Sequence, residues 1–210
     1  MLADRIGAYT DDFASHSPFL TRFRKKVRVI LPPVVIPSAG EEEVKGFSDL
    51  HNPNGNHPVI GMATRFASEK GVEVLINALP RIREKYPNLM VLYAGQYLDV
   101  MGEKEYLQRL LPSIENYQKS GQWKFLGVLS PEEMAKFYSS LDVLVVPSLN
   151  STETFGLVQI EAMLRGTPSI ASNLPGVRVP PRMTGMGDVV PIGDSDALAE
   201  AIIRVTSRPE

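Results

Sequence analysis

The chain has 210 residues, of which 43% are hydrophobic and 22% are charged, and its formal net charge at pH 7 is −2. This composition predicts a globular protein with a sizeable core, and the lack of a basic excess disfavours a general nucleic-acid binder. The absence of cysteine excludes disulfides and cysteine-ligated metal sites. No apolar run is long enough to cross a bilayer, and Asp4 and Arg5 come too early for a secretory signal peptide, so we expect a soluble, cytoplasmic protein.

The first fifty residues are predicted to lie outside the main domain. Residues 1–28 have the pattern of an arm, and the proline-rich segment 30–43 has that of a linker. The surface loop 51–58 then leads into a regular alternation of strands and helices. We therefore divide the chain into an arm and linker at 1–50 and a main domain at 51–210.

From residue 58 onward, short apolar runs alternate with helical patterns. The predicted strands are 58–65, 89–95, 123–127, 142–148, 168–172 and 188–194, and the predicted helices between or after them are 70–84, 103–118, 130–141 and 195–206. In the third of these helices, Ser130 is the predicted N-cap, Pro131 takes the first helical position and Glu133 completes a capping box.

Strands that are nearly all apolar and separated by helices are typical of a parallel sheet covered on both faces. The predicted fold class is therefore α/β, with a doubly wound, Rossmann-like parallel sheet. Such sheets bind ligands beyond the carboxyl ends of their strands. This places three loops near one crevice, those after Thr64, Phe125 and Val146.

The loop after the first predicted strand of the main domain carries two cations, Arg65 and Lys70. At the ligand edge of the sheet they would suit a diphosphate, which needs charge neutralisation and directed donors. Solvated cations at an ordinary strand-to-helix turn would show the same spacing, so the pattern leaves both interpretations open.

The stretch 150–168 predicts an anion site at the start of a helix. Thr154 is the predicted cap of a helix that begins at Phe155, which leaves the amides of Phe155, Gly156 and Leu157 without intrahelical acceptors. An ordinary capped helix start without any ligand is the alternative.

Two glutamates flank this helix start. Glu161 falls between Leu157, Val158 and Leu164 on a helical wheel, so we expect a half-buried carboxylate that needs donors. Arg165, four residues later, could supply them, and so could the vicinal hydroxyls of a ribose. Glu153 could likewise accept hydrogen bonds from sugar hydroxyls. Alternatively, its negative charge could simply stabilise the helix N-terminus.

Other polar residues receive weaker interpretations. His16, His51 and His57 show no metal-ligand spacing, and no metal site is predicted. The segment 21–28 concentrates five arginines and lysines, for which a solvated basic face is favoured over contact with an anionic membrane.

Four motifs together resemble one enzyme family. "ETFGLVQIEAMLRGTPSIAS" (153–172) resembles the E-x7-E signature of the family-4 retaining glycosyltransferases, and "GMATRFASEKG" (61–71) is similar to the G-R-L-x-x-x-K-G element of that family. "FLGVLSPEEMAKFYSSLDVLVVPS" (125–148) and "LPGVR" with "TGMGDVVPIGD" (184–194) resemble the segments before and after the signature. In this order the motifs cover about residues 57–205.

The resemblance implies the C-terminal, donor-binding domain of a GT-B glycosyltransferase, in which two Rossmann-like domains face each other across a cleft. It implies transfer of a hexosyl unit from a UDP-, GDP- or ADP-sugar with retention of configuration and without a metal or other cofactor. Arg65, Lys70 and Glu153 would be the catalytic residues, with Arg65 and Lys70 holding the diphosphate leaving group.

The resemblance also implies how the rest of the donor would be held. Glu153 and the backbone of four residues would contact the sugar and the distal phosphate, namely Phe155, Gly156, Leu157 and Val158. Glu161 would accept the ribose hydroxyls, and the backbone near Val128 would meet the base.

Members of this family carry an N-terminal acceptor domain that this sequence does not contain. Residues 1–23 resemble the end of that domain, so we expect a fragment, with Met1 as an artificial start, that binds donor but does not transfer sugar by itself.

Two alternative functions remain. A non-catalytic nucleotide-binding or interaction module could share the fold. A dinucleotide-dependent dehydrogenase is disfavoured, because no G-x-G-x-x-G follows any predicted strand.

Overall fold

The computed structural model describes residues 3–207. We keep the names arm and main domain for the elements before and after residue 40. The arm contains β1 (Ile6–Ala8), α1 (Asp11–His16), a 3₁₀ segment (Leu20–Lys26) and β2 (Val27–Val29), with β1 and β2 paired in parallel. The main domain contains α2 (Glu41–His51), β3 (Val59–Ala63), a 3₁₀ turn (Ser68–Lys70), α3 (Val72–Lys85), β4 (Met90–Ala94), α4 (Lys104–Lys119), β5 (Trp123–Gly127), α5 (Pro131–Ser139), β6 (Val143–Val146), α6 (Leu157–Leu164), β7 (Ser169–Ser172), α7 (Val179–Thr184), β8 (Gly187–Val190) and α8 (Ser195–Thr206).

The strands β3 to β8 form one parallel sheet in the order β5-β4-β3-β6-β7-β8. The predicted doubly wound α/β sheet is confirmed. From β3 the chain builds outward to β5, and from β6 it builds outward in the opposite direction to β8. The winding reverses between β3 and β6, where Ile60 pairs with Val143. The crevice at such a reversal is where open α/β sheets bind ligands.

Alternate residues of each central strand supply the two faces of the sheet. In β6, Val143 and Val145 pack in the core that includes residues of α3, α4 and α8. Leu144 and Val146 pack in the core that includes residues of α2, α5 and α6. Helices therefore cover both faces, which explains why the strands read as continuous apolar runs in the sequence.

Two helices differ from the sequence prediction. The segment between the predicted strands 168–172 and 188–194, where no helix was predicted, holds α7, with Pro180 and Pro181 in its first turn, where the missing amide hydrogens cost no helical hydrogen bond. The helix α2 begins inside the segment predicted as a linker, and its Phe47 is buried in the same core as α5. This helix runs across the boundary at 50 and 51, and the two-part division stays a prediction.

A partly buried ion pair fastens the arm to the main domain. Arg178 donates from Nη2 to Oδ1 of Asp12 at 2.6 Å and from Nε to Oδ2 at 2.9 Å. The amide of Gly176 donates to the same Oδ2 at 2.8 Å. The hydrogen bond from Arg178, reinforced by that of Gly176, holds the pKa of Asp12 below its ordinary value. Nearby, the ring of Tyr9 contacts that of Phe155, with centroids 5.7 Å apart.

Replacing Asp12 by Asn should lower the free energy of unfolding at pH 7 by roughly 1.5–3 kcal/mol, because Arg178 and Gly176 lose a charged acceptor. The folded-state pKa of Asp12 is depressed. Its contribution is therefore complete above the unfolded pKa of about 4 and is lost as the pH falls through the folded pKa. The difference in urea-unfolding free energy between the parent chain and Asp12→Asn should be at its full size above about pH 4 and should vanish only below the depressed folded-state pKa of Asp12.

Asp11→Asn is the matched control on the same helix. Its pair with Arg24 is exposed to solvent, so its loss should change stability little. Equal losses for the two variants, or a difference for Asp12→Asn that persists unchanged in acid, would contradict this role of the ion pair.

Candidate functional site

A cavity of about 270 Å³ opens at the carboxyl ends of β3 and β6, at the reversal of the sheet. Its lining includes Thr64, Ser148 and Tyr9 of the arm. Six of the nine predicted site residues line it, namely Lys70, Glu153, Phe155, Gly156, Leu157 and Val158. The other three, Arg65, Val128 and Glu161, lie outside its lining.

Close contact between two loops brings Lys70 to this cavity. Gly71 has φ of +72°, and a Cβ at this position would lie 2.0 Å from the carbonyl oxygen of Pro147. Only glycine therefore allows the loop after β3 to meet the loop after β6. The contact is tied by the amide of Leu149, which donates to the carbonyl oxygen of Glu69 at 2.8 Å.

An ion pair crosses the reversal of the sheet. Lys70 Nζ donates to Oε2 of Glu153 at 2.9 Å, and the two side chains are only 16% and 23% exposed. The other carboxylate oxygen of Glu153 accepts from the amide of Gly156 at 3.0 Å. Lys70, which is predicted to bind the diphosphate, and Glu153, which is predicted to bind the sugar, thus lie side by side at the start of α6. Each side chain is held in one orientation by its partner.

Arg65 is not part of the cavity lining. Its Nη2 donates to Oε1 of Glu69 at 2.5 Å, and the arginine side chain is 60% exposed whereas that of Glu69 is 14% exposed. Burial opposes ionisation of Glu69, but the hydrogen bond and charge of Arg65 outweigh it, so the pKa of Glu69 lies below its ordinary value. The guanidinium is therefore held by the carboxylate of Glu69 and not by a residue of the cavity lining.

The start of α6 differs from the prediction. The N-cap is Gly156, with φ of 75°, and not Thr154, and the helix begins at Leu157 and not at Phe155. A left-handed residue at this point turns the chain sharply, and glycine adopts that conformation at little cost. Leu157 and Val158 now occupy the first turn, whose amides lack intrahelical acceptors. Anion binding at this helix start stays a prediction.

Gln159, which the sequence reasoning missed, fixes this turn. Its side chain is fully buried, and its Nε2 donates to the carbonyl oxygens of Phe155 at 3.0 Å and Val177 at 2.9 Å. Its Oε1 accepts from the hydroxyl of Ser169 at 3.1 Å. A glutamine inside an apolar helix was the available sequence signal, because such an amide must find partners when it is buried.

Glu161 is half-buried, as expected, but its partner differs from the predicted one. The hydroxyl of Tyr138 on α5 donates to its Oε2 at 2.6 Å. The Glu161 carboxylate makes no hydrogen bond or ion pair with Arg165 in the part of the chain that the structure describes, and Nε of Arg165 is buried there without a partner. The pairing rule for residues four apart fails because α6 ends at Leu164, so Arg165 is no longer helical.

Val128, the predicted base contact, follows β5 and is 78% exposed. It stands outside the cavity lining, after Gly127 with its φ of 72°. Val128 is therefore a largely exposed residue at the carboxyl end of β5.

Neither a membrane span nor a metal centre is found in residues 3–207. No helix there has the length and apolar composition that a bilayer crossing needs. No three histidine, aspartate and glutamate side chains among these residues are grouped so that they could hold a metal ion. In the basic segment, Arg24 pairs with Asp11, and Lys26 donates to the carbonyl oxygen of Ala3.

The sequence model of the family described as glycosyl transferases group 1 matches residues 47–210. The chain belongs to this family. It is similar to the phosphatidyl-myo-inositol mannosyltransferase of Mycolicibacterium smegmatis, with 30% identity over 171 residues that cover 78% of this chain and 40% of the mannosyltransferase. The chain spans about a third of the length of the curated relatives that it matches.

Solved structures show the same fold. Anabaena HepE in complex with UDP and glucose superposes with a TM-score of 0.81 and 22% identity, covering 98% of this chain and 54% of HepE. The C-terminal domain of a group 1 glycosyltransferase from Francisella tularensis gives a TM-score of 0.67 and 22% identity, covering 81% of this chain and 85% of that domain. The predicted C-terminal domain of a GT-B glycosyltransferase is confirmed at the level of fold.

Replacing Gly156 by Ala should destabilise the chain by more than the roughly 1–2 kcal/mol that a left-handed alanine costs. The added Cβ would lie 2.7 Å from Nε2 of Gln159, whose three hydrogen bonds leave it little freedom to move. Thermal and urea unfolding measure the loss.

Gly166→Ala is the matched control at the other end of the same helix. Gly166 has φ of +84°, and a Cβ there would meet nothing within 4 Å. Gly166→Ala should therefore lose only the stability that a left-handed alanine costs. If Gly156→Ala were no worse than Gly166→Ala, Gln159 would not be the rigid element that fixes the turn.

Proposed function

We propose that this chain is the donor-binding domain of a retaining glycosyltransferase. The longer protein would transfer a hexosyl unit from a nucleoside-diphosphate sugar to an acceptor that its other part binds. The observation that carries the proposal is the ion pair of Lys70 and Glu153, which joins a cation and a carboxylate at the start of α6, inside the cavity at the reversal of the sheet.

The diphosphate is proposed to bind between Lys70 and the first turn of α6. The amides of Leu157 and Val158 point out of the helix start, and the helix dipole favours an anion there. A phosphate oxygen would take the place of the Glu153 carboxylate as the partner of Lys70. Glu153, which keeps its bond from the amide of Gly156, would then accept hydrogen bonds from the hydroxyls of the sugar.

Arg65 is proposed as the second cation for the diphosphate. Its exposed side chain has room to turn from Glu69 toward the cavity. When the bond between the sugar and the distal phosphate breaks, negative charge grows on the leaving diphosphate. Two cations that already hold the diphosphate in the bound state would stabilise that charge, and electrostatic stabilisation of this kind is the usual source of such rate enhancement.

The nucleoside is proposed to extend from the diphosphate along α6. Glu161 lies one turn beyond Leu157 on the same face, where its carboxylate could accept from the ribose hydroxyls. The base would reach the backbone near Val128 at the end of β5. The structure of HepE with UDP and glucose supports a nucleotide donor, and retention of configuration is inferred from the family resemblance.

Calorimetric titration of this chain with UDP, GDP and ADP, each with and without an attached hexose, tests the proposal. One nucleotide should bind, and Lys70→Ala should weaken it by at least about tenfold, because a charge-assisted contact to phosphate is lost. The control is Lys119→Ala, an exposed lysine at the carboxyl end of α4 and thus at the opposite edge of the sheet.

The outcomes separate the functions considered. Loss of binding in Lys70→Ala alone supports the donor site. Equal effects of both lysine variants would place the nucleotide elsewhere. No heat with any nucleotide would count against the donor site in this chain. If NAD, titrated in the same way, bound while no sugar nucleotide did, the dehydrogenase alternative would be favoured.

A further inference from the structure

Tyr138 contacts a residue of the proposed site but lies outside the family signature at 153–172. It lies in the last turn of α5, and no part of its side chain is exposed. Its hydroxyl donates to Oε2 of Glu161 at 2.6 Å, although the two residues are 23 positions apart. This length is typical of the strong bond between a hydroxyl and an ionised carboxylate.

The backbone of Tyr138 is itself fixed. Thr167, in the loop after α6, donates from its buried hydroxyl to the carbonyl oxygen of Tyr138 at 2.6 Å. The neighbouring ring of Phe137 packs against the tyrosine ring, with centroids 5.3 Å apart. The tyrosine therefore reaches Glu161 from a rigid position, so its hydroxyl sets the direction of the carboxylate.

A tyrosine orients a carboxylate without neutralising it. An arginine in the same place would engage both oxygens and cancel the charge. The bond from Tyr138 occupies Oε2 of Glu161. Within residues 3–207 the carboxylate of Glu161 makes no other hydrogen bond. The second oxygen keeps its lone pairs, and the group keeps a full negative charge with which to attract hydroxyl donors.

The tyrosine remains a donor at every ordinary pH. Burial raises its pKa, and the hydrogen bond and negative charge of Glu161 raise it further. The orientation of the carboxylate therefore does not depend on the titration of its partner.

We propose that Tyr138 is a positioning residue that aims the carboxylate of Glu161 at the 2′- and 3′-hydroxyls of the donor ribose. It thereby sets the preference of the site for ribonucleotides over deoxyribonucleotides. This inference rests on the proposed function, since it requires that Glu161 meets a ribose.

The test compares each nucleoside diphosphate with its 2′-deoxy form by calorimetry on this chain. In the parent chain, the ribonucleotide that binds among UDP, GDP and ADP should bind at least about tenfold more tightly than its 2′-deoxy analogue. Tyr138→Phe keeps the ring and removes only the hydroxyl. It should lower this ratio to roughly threefold or less, mainly by weakening the ribonucleotide.

Tyr93→Phe is the matched control. Tyr93 on β4 is also fully buried, but its hydroxyl has no partner in the described part of the chain. Loss of the Tyr93 hydroxyl should leave the ratio of ribonucleotide to 2′-deoxynucleotide affinity unchanged. A second test places Tyr138→Phe in a Glu161→Ala background, where it should have no further effect on the ratio, because Tyr138 acts through Glu161.

Failure of the inference and failure of the proposed function give different results. If the parent chain binds no nucleoside diphosphate, or shows no preference for the ribose form, Glu161 does not hold a ribose and the proposed function is wrong in that part. If the parent chain prefers the ribose form and Tyr138→Phe weakens both forms equally, Tyr138 has only a structural role and the inference is overturned.

Discussion

The ion pair between Lys70 and Glu153 connects the two halves of the sheet at the point where the winding reverses. It exists because Gly71 lets the loop after β3 touch the loop after β6. Two charges that are mostly removed from water need partners, and here each partner comes from the opposite half of the sheet. A diphosphate that binds Lys70 would free the carboxylate of Glu153 next to the position proposed for the sugar. Binding of the diphosphate would therefore make Glu153 available to bind the sugar.

Buried polar side chains hold the surroundings of this pair in place. Gln159 ties the turn before α6 to the loop that follows β7, and Tyr138 connects α5 to the carboxylate of Glu161. The arm adds Tyr9 to the cavity and is anchored by Asp12. A site held by satisfied hydrogen bonds loses little entropy when a ligand binds, which is the physical basis of preorganisation.

Much of the fold was predictable from local patterns, whereas the site was only partly so. The apolar runs gave the parallel sheet, and the capping box of Ser130 and Glu133 formed as predicted because both partners lie within one turn. The cap at Thr154 was wrong, since Gly156 offers a left-handed turn that Gln159 stabilises from within the helix. The partner of Glu161 lies on another helix, and spacing along one helix carries no information about such a contact.

The most direct test of the central claim is a crystal structure of this chain with UDP, or with whichever of GDP and ADP binds instead. The account predicts that the diphosphate lies between Lys70 and the first turn of α6, and that Lys70 has exchanged Glu153 for a phosphate oxygen. A nucleotide found elsewhere on the chain, or one bound in the cavity while Lys70 and Glu153 remain paired with each other, would contradict it.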